Sequence, residues 1–188
     1  MKITIFTFLI LVIKICSSFN IPKFIAITTS AALLSLQTTT KQPLPKLINL
    51  DSNKLAQIVS DDITIRQALI TADFTREIYS DTSTFKDEID VYPIDKYIQG
   101  TKALFVADKS HVDLTSPVRV TDEKIEFKFK EHLTFNIPIL YPTVTLSGYV
   151  ELFRDTASSS STTGLVIRSV EHWDQPVNDV LKTATFFN

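Results

Sequence analysis

The chain has 188 residues, of which 44% are hydrophobic and 21% charged, with three glycines, eight prolines and one cysteine. This composition suits one globular domain with an appendage and excludes collagen-like, disulfide-stapled and wholly disordered chains. The net charge is −2, but residues 1–50 hold five lysines and no acid, which leaves 14 basic and 21 acidic side chains, or −7, for residues 51–188. A domain this acidic is not expected to bind nucleic acid through the phosphates.

Residues 1–18 have the features of a cleaved signal peptide. Lys2 provides a positive start, residues 3–13 are mostly apolar, and Cys16 is followed by two small serines, as a signal peptidase site requires. The apolar run is too short to span a bilayer as a helix, which takes about 20 residues. We therefore expect no stable transmembrane anchor in the mature protein; a short membrane anchor is the alternative.

Residues 19–50 resemble the transit segment of a bipartite plastid presequence, as found in algae with secondary plastids. In such presequences a Phe follows the signal peptide directly, and Phe19 occupies that position. Residues 24–46 contain many Ser and Thr residues and no acid, which is typical of transit peptides. The resemblance implies import into the plastid (chloroplast), with secretion as the alternative.

Two helices are predicted at the start of the domain, which we place at residues 51–188. Asp61 and Asp62 offer an N-cap, and the apolar residues after them recur at helical spacing, which predicts a helix of about five turns ending near residues 79–81. Pro93 is suited to the first turn of a second helix, whose apolar face extends to Phe105.

From residue 112 onward the hydrophobic period changes to two, which predicts β-strands. These strands cover residues 112–120, which Pro117 interrupts, and residues 124–135, 143–154 and 165–174. Two helices followed by four long antiparallel strands predict an α+β fold with the helices on one side of a curled sheet.

Short motifs in a particular order resemble the SnoaL-like branch of the nuclear transport factor 2-like superfamily, and within it an uncharacterised family of plant and algal plastids. The similarity covers about residues 60–180. It implies a cone-shaped α+β fold in which N-terminal helices pack on a curved antiparallel sheet and leave an apolar pocket open at one end. The first motif is IYSD at 78–81 with Phe85 after it, and the second is Tyr97 and Gly100 followed by Leu104 and Phe105. The remaining motifs are EHLTF at 131–135, GYVELFRD at 148–155, and residues 164–174, which end in EHWD.

Glu131 is the first candidate for chemistry. It continues the alternating face of Phe127, Phe129 and Leu133, where an acidic residue is out of place. A carboxyl buried among aromatic residues has a raised pKa and is suited to act as a general base near neutral pH. The alternative is a β-bulge at Glu131 and His132 that turns the acid toward solvent.

The sequence EHWD at residues 171–174 is the densest polar cluster. On a strand, Glu171 and Trp173 face one way and His172 and Asp174 the other. His172 is a second candidate base, oriented by a neighbouring carboxylate. The alternative is a structural strand end in which the Trp173 indole packs and hydrogen-bonds.

The resemblance also implies which residues line the pocket. Tyr79, Asp81 and Tyr97 lie where helices meet the pocket mouth in the family, although they could equally cap helices and fill the core. Together with the candidates above they give the predicted binding pocket: Tyr79, Asp81, Tyr97, Glu131, Trp173 and Asp174.

No metal site and no cofactor are predicted, because the three histidines lie on separate elements without ligand spacing, and the only cysteine is in the leader.

Three functions remain open. The first is a non-catalytic protein that binds a hydrophobic small molecule in its pocket, or a protein partner in the pocket or on its sheet. The second is an isomerase, cyclase or dehydratase with a carboxylate or His as general base. The third is a scaffold or assembly factor that forms a homodimer.

Overall fold

The computed structural model describes residues 45–137, 139–158 and 160–186. The predicted signal peptide and nearly all of the transit-like segment, including Phe19, lie outside these ranges. Among the described residues, no helix combines the length and apolar character needed to cross a membrane.

Three helices precede the long strands, and the first of them differs from the prediction. Helix α1 (Ser52–Thr64) is capped by the Asp51 side chain, which accepts a hydrogen bond from the Lys54 N–H at 2.9 Å. Helix α2 (Ala68–Thr71) is a single turn, and helix α3 (Ile94–Leu104) starts directly after Pro93, close to the prediction.

The predicted helix from Asp61 to about residue 79 is wrong, because the chain breaks on both sides of α2. Gln67 and Ala72 adopt left-handed backbone conformations, with φ of 55° and 52°, which no α-helix accommodates. The Gln67 amide then bonds to the backbone N–H and C=O of Val112 at 2.7 and 3.1 Å. Asp62 lies in the last turn of α1, and residue 79 begins a strand instead of ending a helix.

The strands form one open sheet. They are β1 (Tyr79–Lys86), β2 (Val91–Pro93), β3 (His111–Leu114), β4 (Arg119–Val120), β5 (Lys124–Thr134), β6 (Thr143–Arg154) and β7 (Val166–Trp173). Their order is β2-β1-β7-β6-β5-β3, with β4 beside β5. The pairs among β3–β7 are antiparallel, as predicted, and β1 pairs with β7 in parallel.

The predicted fold class, an α+β fold with N-terminal helices on a curved sheet, is confirmed. The predicted edge strand over residues 112–120 occurs as two short strands, β3 and β4, with Pro117 between them. Strands β1 and β2, and a last helix α4 (Val177–Lys182), were not predicted.

The core lies between the helices and one face of the sheet, which we call the inner face. From α1 it receives Leu55, Val59 and Ile63, all at most 3% exposed. Four aromatic rings fill the region between α3 and β1, with Phe85 stacked on Tyr97 at a centroid distance of 4.0 Å. The others are Phe74 and Tyr79, which both contact Phe85.

Candidate functional site

Glu131 lies on the inner face, within the core. The pairing of β5 with β6 is continuous from Lys124 to Thr134, so no bulge turns the acid outward. Glu131 is 3% exposed, its neighbours Phe129 and Leu133 on the same face are equally buried, and nothing among the described residues donates a hydrogen bond to its carboxyl. The bulge alternative is therefore not realised, and the acid is buried as the alternation predicts.

Glu171 is the second carboxyl of this region. It lies on β7 across from Val150, and its Oε1 accepts a hydrogen bond from the Trp173 indole Nε1 at 2.6 Å. Glu171 and Trp173 share the inner face, whereas His172 between them faces outward, where its ring stacks on Tyr149 at 4.5 Å. The predicted division of this motif between two faces is confirmed.

Tyr97 from α3 lines the smaller cavity together with Glu171. Its ring stacks on Phe85. Burial raises the pKa of Tyr97 well above its usual range, and the charges of Glu171 and Glu131 raise it further. The phenol therefore remains protonated and is a neutral hydrogen-bonding group at physiological pH.

The two carboxyls influence each other. Burial, followed by the charge of Glu171, raises the pKa of Glu131 well above its usual range. Burial raises the pKa of Glu171 to about 7, although the Trp173 hydrogen bond acts to lower it. Both carboxyls are therefore easier to protonate than exposed glutamates.

An acidic loop between β1 and β2 lies next to Glu171. Asp87 Oδ1 accepts hydrogen bonds from the N–H groups of Ile89 and Asp90, both at 2.8 Å. Desolvation raises the pKa of Asp87, and the charges of Asp87 and Glu88 contribute to the raised pKa of Glu171. Negative charge thus continues from the loop to the buried pair.

Two cavities lie in this part of the core, and both are small. The larger is about 20 Å³ and is lined by Tyr79, Tyr97 and other core residues, and the smaller is about 10 Å³ and is lined by Glu171 with Asp87 and Tyr92. Each has room for about one water molecule, whereas small-molecule sites are usually about 300–1,000 Å³. Neither of these two cavities has the size of the open pocket that the family resemblance implies. Both cavities are lined by Leu69, Phe85, Tyr97 and Ser169.

A further buried carboxyl, Asp62, holds the chain around α2. It accepts hydrogen bonds from the Thr75 N–H at 3.0 Å and the Thr75 hydroxyl at 2.9 Å, and it pairs with Arg66. Burial raises the pKa of Asp62 despite these partners. Because its bonds to Thr75 join α1 to the segment after α2, we assign it a structural role.

Two of the predicted pocket residues lie on the surface. The Asp81 side chain is 60% exposed and pairs with Lys46 at 2.6 Å and Arg76 at 3.3 Å. Asp174 is exposed and accepts a hydrogen bond from the Ser147 hydroxyl at 2.6 Å. Of the other predicted residues, Tyr97 lines both cavities, Tyr79 lines the larger one, and Trp173 bonds to Glu171, whereas Glu131 lines neither cavity.

Sequence reasoning did not select Glu171 as the partner of Glu131. The signal was present, because Glu171 precedes Trp173 on the inward face of a predicted strand. The sequence does not give the strand order, in which β6 lies between β5 and β7. Within the described ranges, no group of three or more His, Asp and Glu side chains is arranged to hold a metal ion.

No family model matches the chain, and no curated protein matches it. Several solved structures do. An LEH-like epoxide hydrolase from M. tuberculosis is 12% identical, with 70% of this chain and 90% of that chain covered and a TM-score of 0.48. An NTF2-like protein from Anabaena variabilis is 12% identical, with 71% of this chain and 97% of that chain covered and a TM-score of 0.45. An NTF2-like superfamily protein from Salmonella enterica is 14% identical, with 66% of this chain and 93% of that chain covered and a TM-score of 0.46. Such identities concern the fold alone.

Proposed function

We propose that the protein is a SnoaL-like member of the nuclear transport factor 2-like superfamily that binds a small molecule with an apolar body on the inner face, near Glu131 and Glu171. The observation that carries this proposal is the burial of the Glu131 carboxyl in the core, with no ion pair to it among the described residues and a second, partly buried carboxyl, Glu171, on the same sheet face. The aromatic rings beside the pair, Tyr97 and Phe85 above all, would contact the apolar part of the molecule.

The energetic cost of this arrangement argues for a function. Removing a carboxylate from water costs several kcal/mol unless charges or hydrogen bonds replace the water. Glu131 receives no such bond from the described residues, and Glu171 receives one, from Trp173. A leucine at position 131 would match its neighbours Phe129 and Leu133 and avoid the cost. Buried groups with strongly raised pKa values are typical of binding and catalytic sites.

Access to the pair requires movement, because the two cavities are far smaller than a ligand. Leu69 of α2 lines both cavities, so its displacement would join them. Helix α2 is one turn long and lies between two residues in left-handed conformation, Gln67 and Ala72, which store strain of about 1–3 kcal/mol each. We infer that α2 is the element that moves when a molecule enters.

Native mass spectrometry tests the proposal. The full-length protein, isolated from the cells that make it, should carry one small molecule, and the Glu131→Gln variant from the same cells should carry at least tenfold less. The matched control is Glu126→Gln, on the same strand but on the outer face, which should retain the molecule. A bare wild-type protein, or equal occupancy in the Glu131 variant, would contradict the proposed site.

One observation favours a second candidate function, proton-transfer catalysis on a conjugated carbonyl compound by an isomerase, cyclase or dehydratase. The pKa of Glu171 at about 7 is suited to a group that gives and takes a proton at neutral pH. Glu131 or Glu171 would then act as general base, whereas His172 on the outer face cannot reach the pair. Turnover of a panel of unsaturated ketones that disappears in Glu131→Gln and persists in His172→Ala would favour this candidate.

For the leader we propose plastid targeting. The acid-free residues 1–50 and Phe19 after the signal peptide support it. A fluorescent reporter fused to residues 1–50 should accumulate in the plastid of an alga with secondary plastids, and Phe19→Ala should divert it to the secretory route. The control is Phe24→Ala, which should leave import intact. Secretion of the unaltered fusion would contradict plastid targeting.

A further inference from the structure

The last residues of the transit-like segment are attached to the folded domain. The Lys46 Nζ atom lies 2.6 Å from the Asp81 carboxylate, and the Leu47 N–H donates a hydrogen bond to the Glu77 backbone oxygen at 2.9 Å. Glu77 directly precedes β1 and Asp81 belongs to it, so both contacts hold the segment at the beginning of this strand.

The chain stays attached between these contacts and the first helix. Asn49 adopts a left-handed conformation with φ of 58°, and the Leu50 side chain packs against the buried core. Asp51 then caps α1. We call residues 46–50 the strap. It forms an ion pair, a backbone hydrogen bond and a core contact with the domain, whereas a targeting peptide that is removed contributes nothing to the mature fold.

Asp81 is the main anchor of the strap. Its carboxylate also pairs with Arg76 at 3.3 Å, so it joins two cations from different parts of the chain. The hydrogen bond from Lys46 is the largest cause of the lowered pKa of Asp81, and the charges of Lys46 and Arg76 lower it further. The carboxylate is therefore ionised at neutral pH and available to Lys46. This contact gives a role to an aspartate that the family resemblance assigned to a pocket.

We infer that proteolytic removal of the leader stops before Lys46, so that the mature protein keeps the strap. This inference rests on the targeting leader proposed above and adds a limit to its removal. The boundary between leader and domain then lies before residue 46 instead of at residue 51. A cut just before Asp51 would remove both Lys46 and Leu50. It would also place a positively charged amino terminus at the start of α1, where the helix dipole disfavours it.

The amino terminus of the mature protein tests this limit. The full-length chain with a carboxyl-terminal affinity tag should be expressed in an alga with secondary plastids and analysed by intact mass and amino-terminal sequencing. We expect a shortened chain whose first residue is Lys46 or an earlier one. A first residue at position 47 or later overturns the inference but upholds a cleaved leader. An uncleaved chain overturns both.

Limited proteolysis of the purified full-length protein tests the attachment itself. A lysine-specific endoprotease cuts after Lys46 only when the strap opens. Asp81→Asn removes the ion pair of Lys46 and should increase the rate of this cut at least about threefold, because local opening becomes more frequent. Cleavage after Lys130, within β5, follows global unfolding and corrects for any change in overall stability.

The matched control is Asp179→Asn in α4. It removes the ion pair of another exposed aspartate with a lysine, Lys182, and should leave the cut after Lys46 unchanged. Equal rates after Lys46 in the wild-type protein and Asp81→Asn overturn the anchoring of the strap. Secretion of the reporter fusion overturns plastid targeting instead, and it is measured independently of this rate.

Discussion

The free energy of unfolding should fall as the pH rises from about 5 to about 8, and Glu131→Gln should remove the part of this decrease that Glu131 contributes. The folded state raises the pKa of Glu131 and Glu171, so it holds protons that the unfolded chain has already released. When the folded state binds more protons, stability decreases with increasing pH, by up to about 1.4 kcal/mol per pH unit for each such group.

The pH range over which stability falls follows from the direction of each pKa shift. Glu171 contributes between its ordinary pKa of 4.5 and about 7, a loss on the order of 3 kcal/mol, and Glu131 continues the trend to higher pH. The groups near Glu171 from other elements are Tyr97 on α3, which stays protonated, and the carboxyls of Asp87 and Glu88 on the adjacent loop. Lys86 at the end of β1 lines the same cavity, and His172 lies 3.9 Å from Glu88. These acids strengthen the effect, because their charges oppose ionisation of Glu171.

Chemical denaturation at several pH values measures this prediction. At pH 8 the Glu131→Gln variant should be more stable than the wild-type protein, because a glutamine side chain does not ionise in the buried position. Below pH 5 the two should be similar. Glu126→Gln on the outer face of the same strand should retain the wild-type pH dependence. A flat profile for the wild-type protein, or a Gln variant less stable at pH 8, would contradict an uncompensated pair.

Gly148→Ala should destabilise the protein by at least about 3 kcal/mol, whereas Gly100→Ala should stabilise it slightly. A Cβ at Gly148 would lie 1.9 Å from the backbone oxygen of His172 and 3.1 Å from the Phe129 ring. Strand β7 would have to move away from β6, which is more costly than ordinary overpacking of about 1–3 kcal/mol. Gly148 pairs with Trp173, so Trp173 emission should change as well.

Gly100 is the matched control because it lies inside α3 with nothing within 4 Å of an added Cβ. Alanine favours a helix over glycine by up to about 1 kcal/mol. Urea unfolding followed by circular dichroism compares both variants with the wild-type protein. If Gly148→Ala were as stable as the wild type, the close approach of β7 to β6 would be wrong.

The long strands could be predicted from the sequence, and the beginning of the domain could not. Alternation of apolar and polar residues over 124–134 and 143–154 fixes which side chains face inward, so the burial of Glu131 followed from pattern alone. The apolar residues after Asp62 have helical spacing but belong to α1, to α2 and to the segment between α2 and β1. The left-handed positions that separate them, Gln67 and Ala72, are not glycines, so the sequence does not mark the breaks.

The site itself depends on contacts that no local pattern contains. The placement of Glu131 and Glu171 on one sheet face requires the order of β5, β6 and β7, and the position of Tyr97 requires α3 to pack against β1 and β2. The pocket residues proposed from the family resemblance included Asp81 and Asp174, which lie on the surface. Their position at element ends, beside inward-facing neighbours, gave no indication of which way each side chain points.

The parallel pairing of β1 with β7 has a consequence for synthesis of the chain. Tyr79 pairs with Val166 and Phe85 with Ser169, so the paired residues lie 84 to 87 positions apart in the sequence. During synthesis, β1 and β6 therefore both have an unpaired edge until β7 has left the ribosome. Such edges invite pairing with other chains, and we expect the nascent protein to depend on chaperones until its carboxyl terminus emerges.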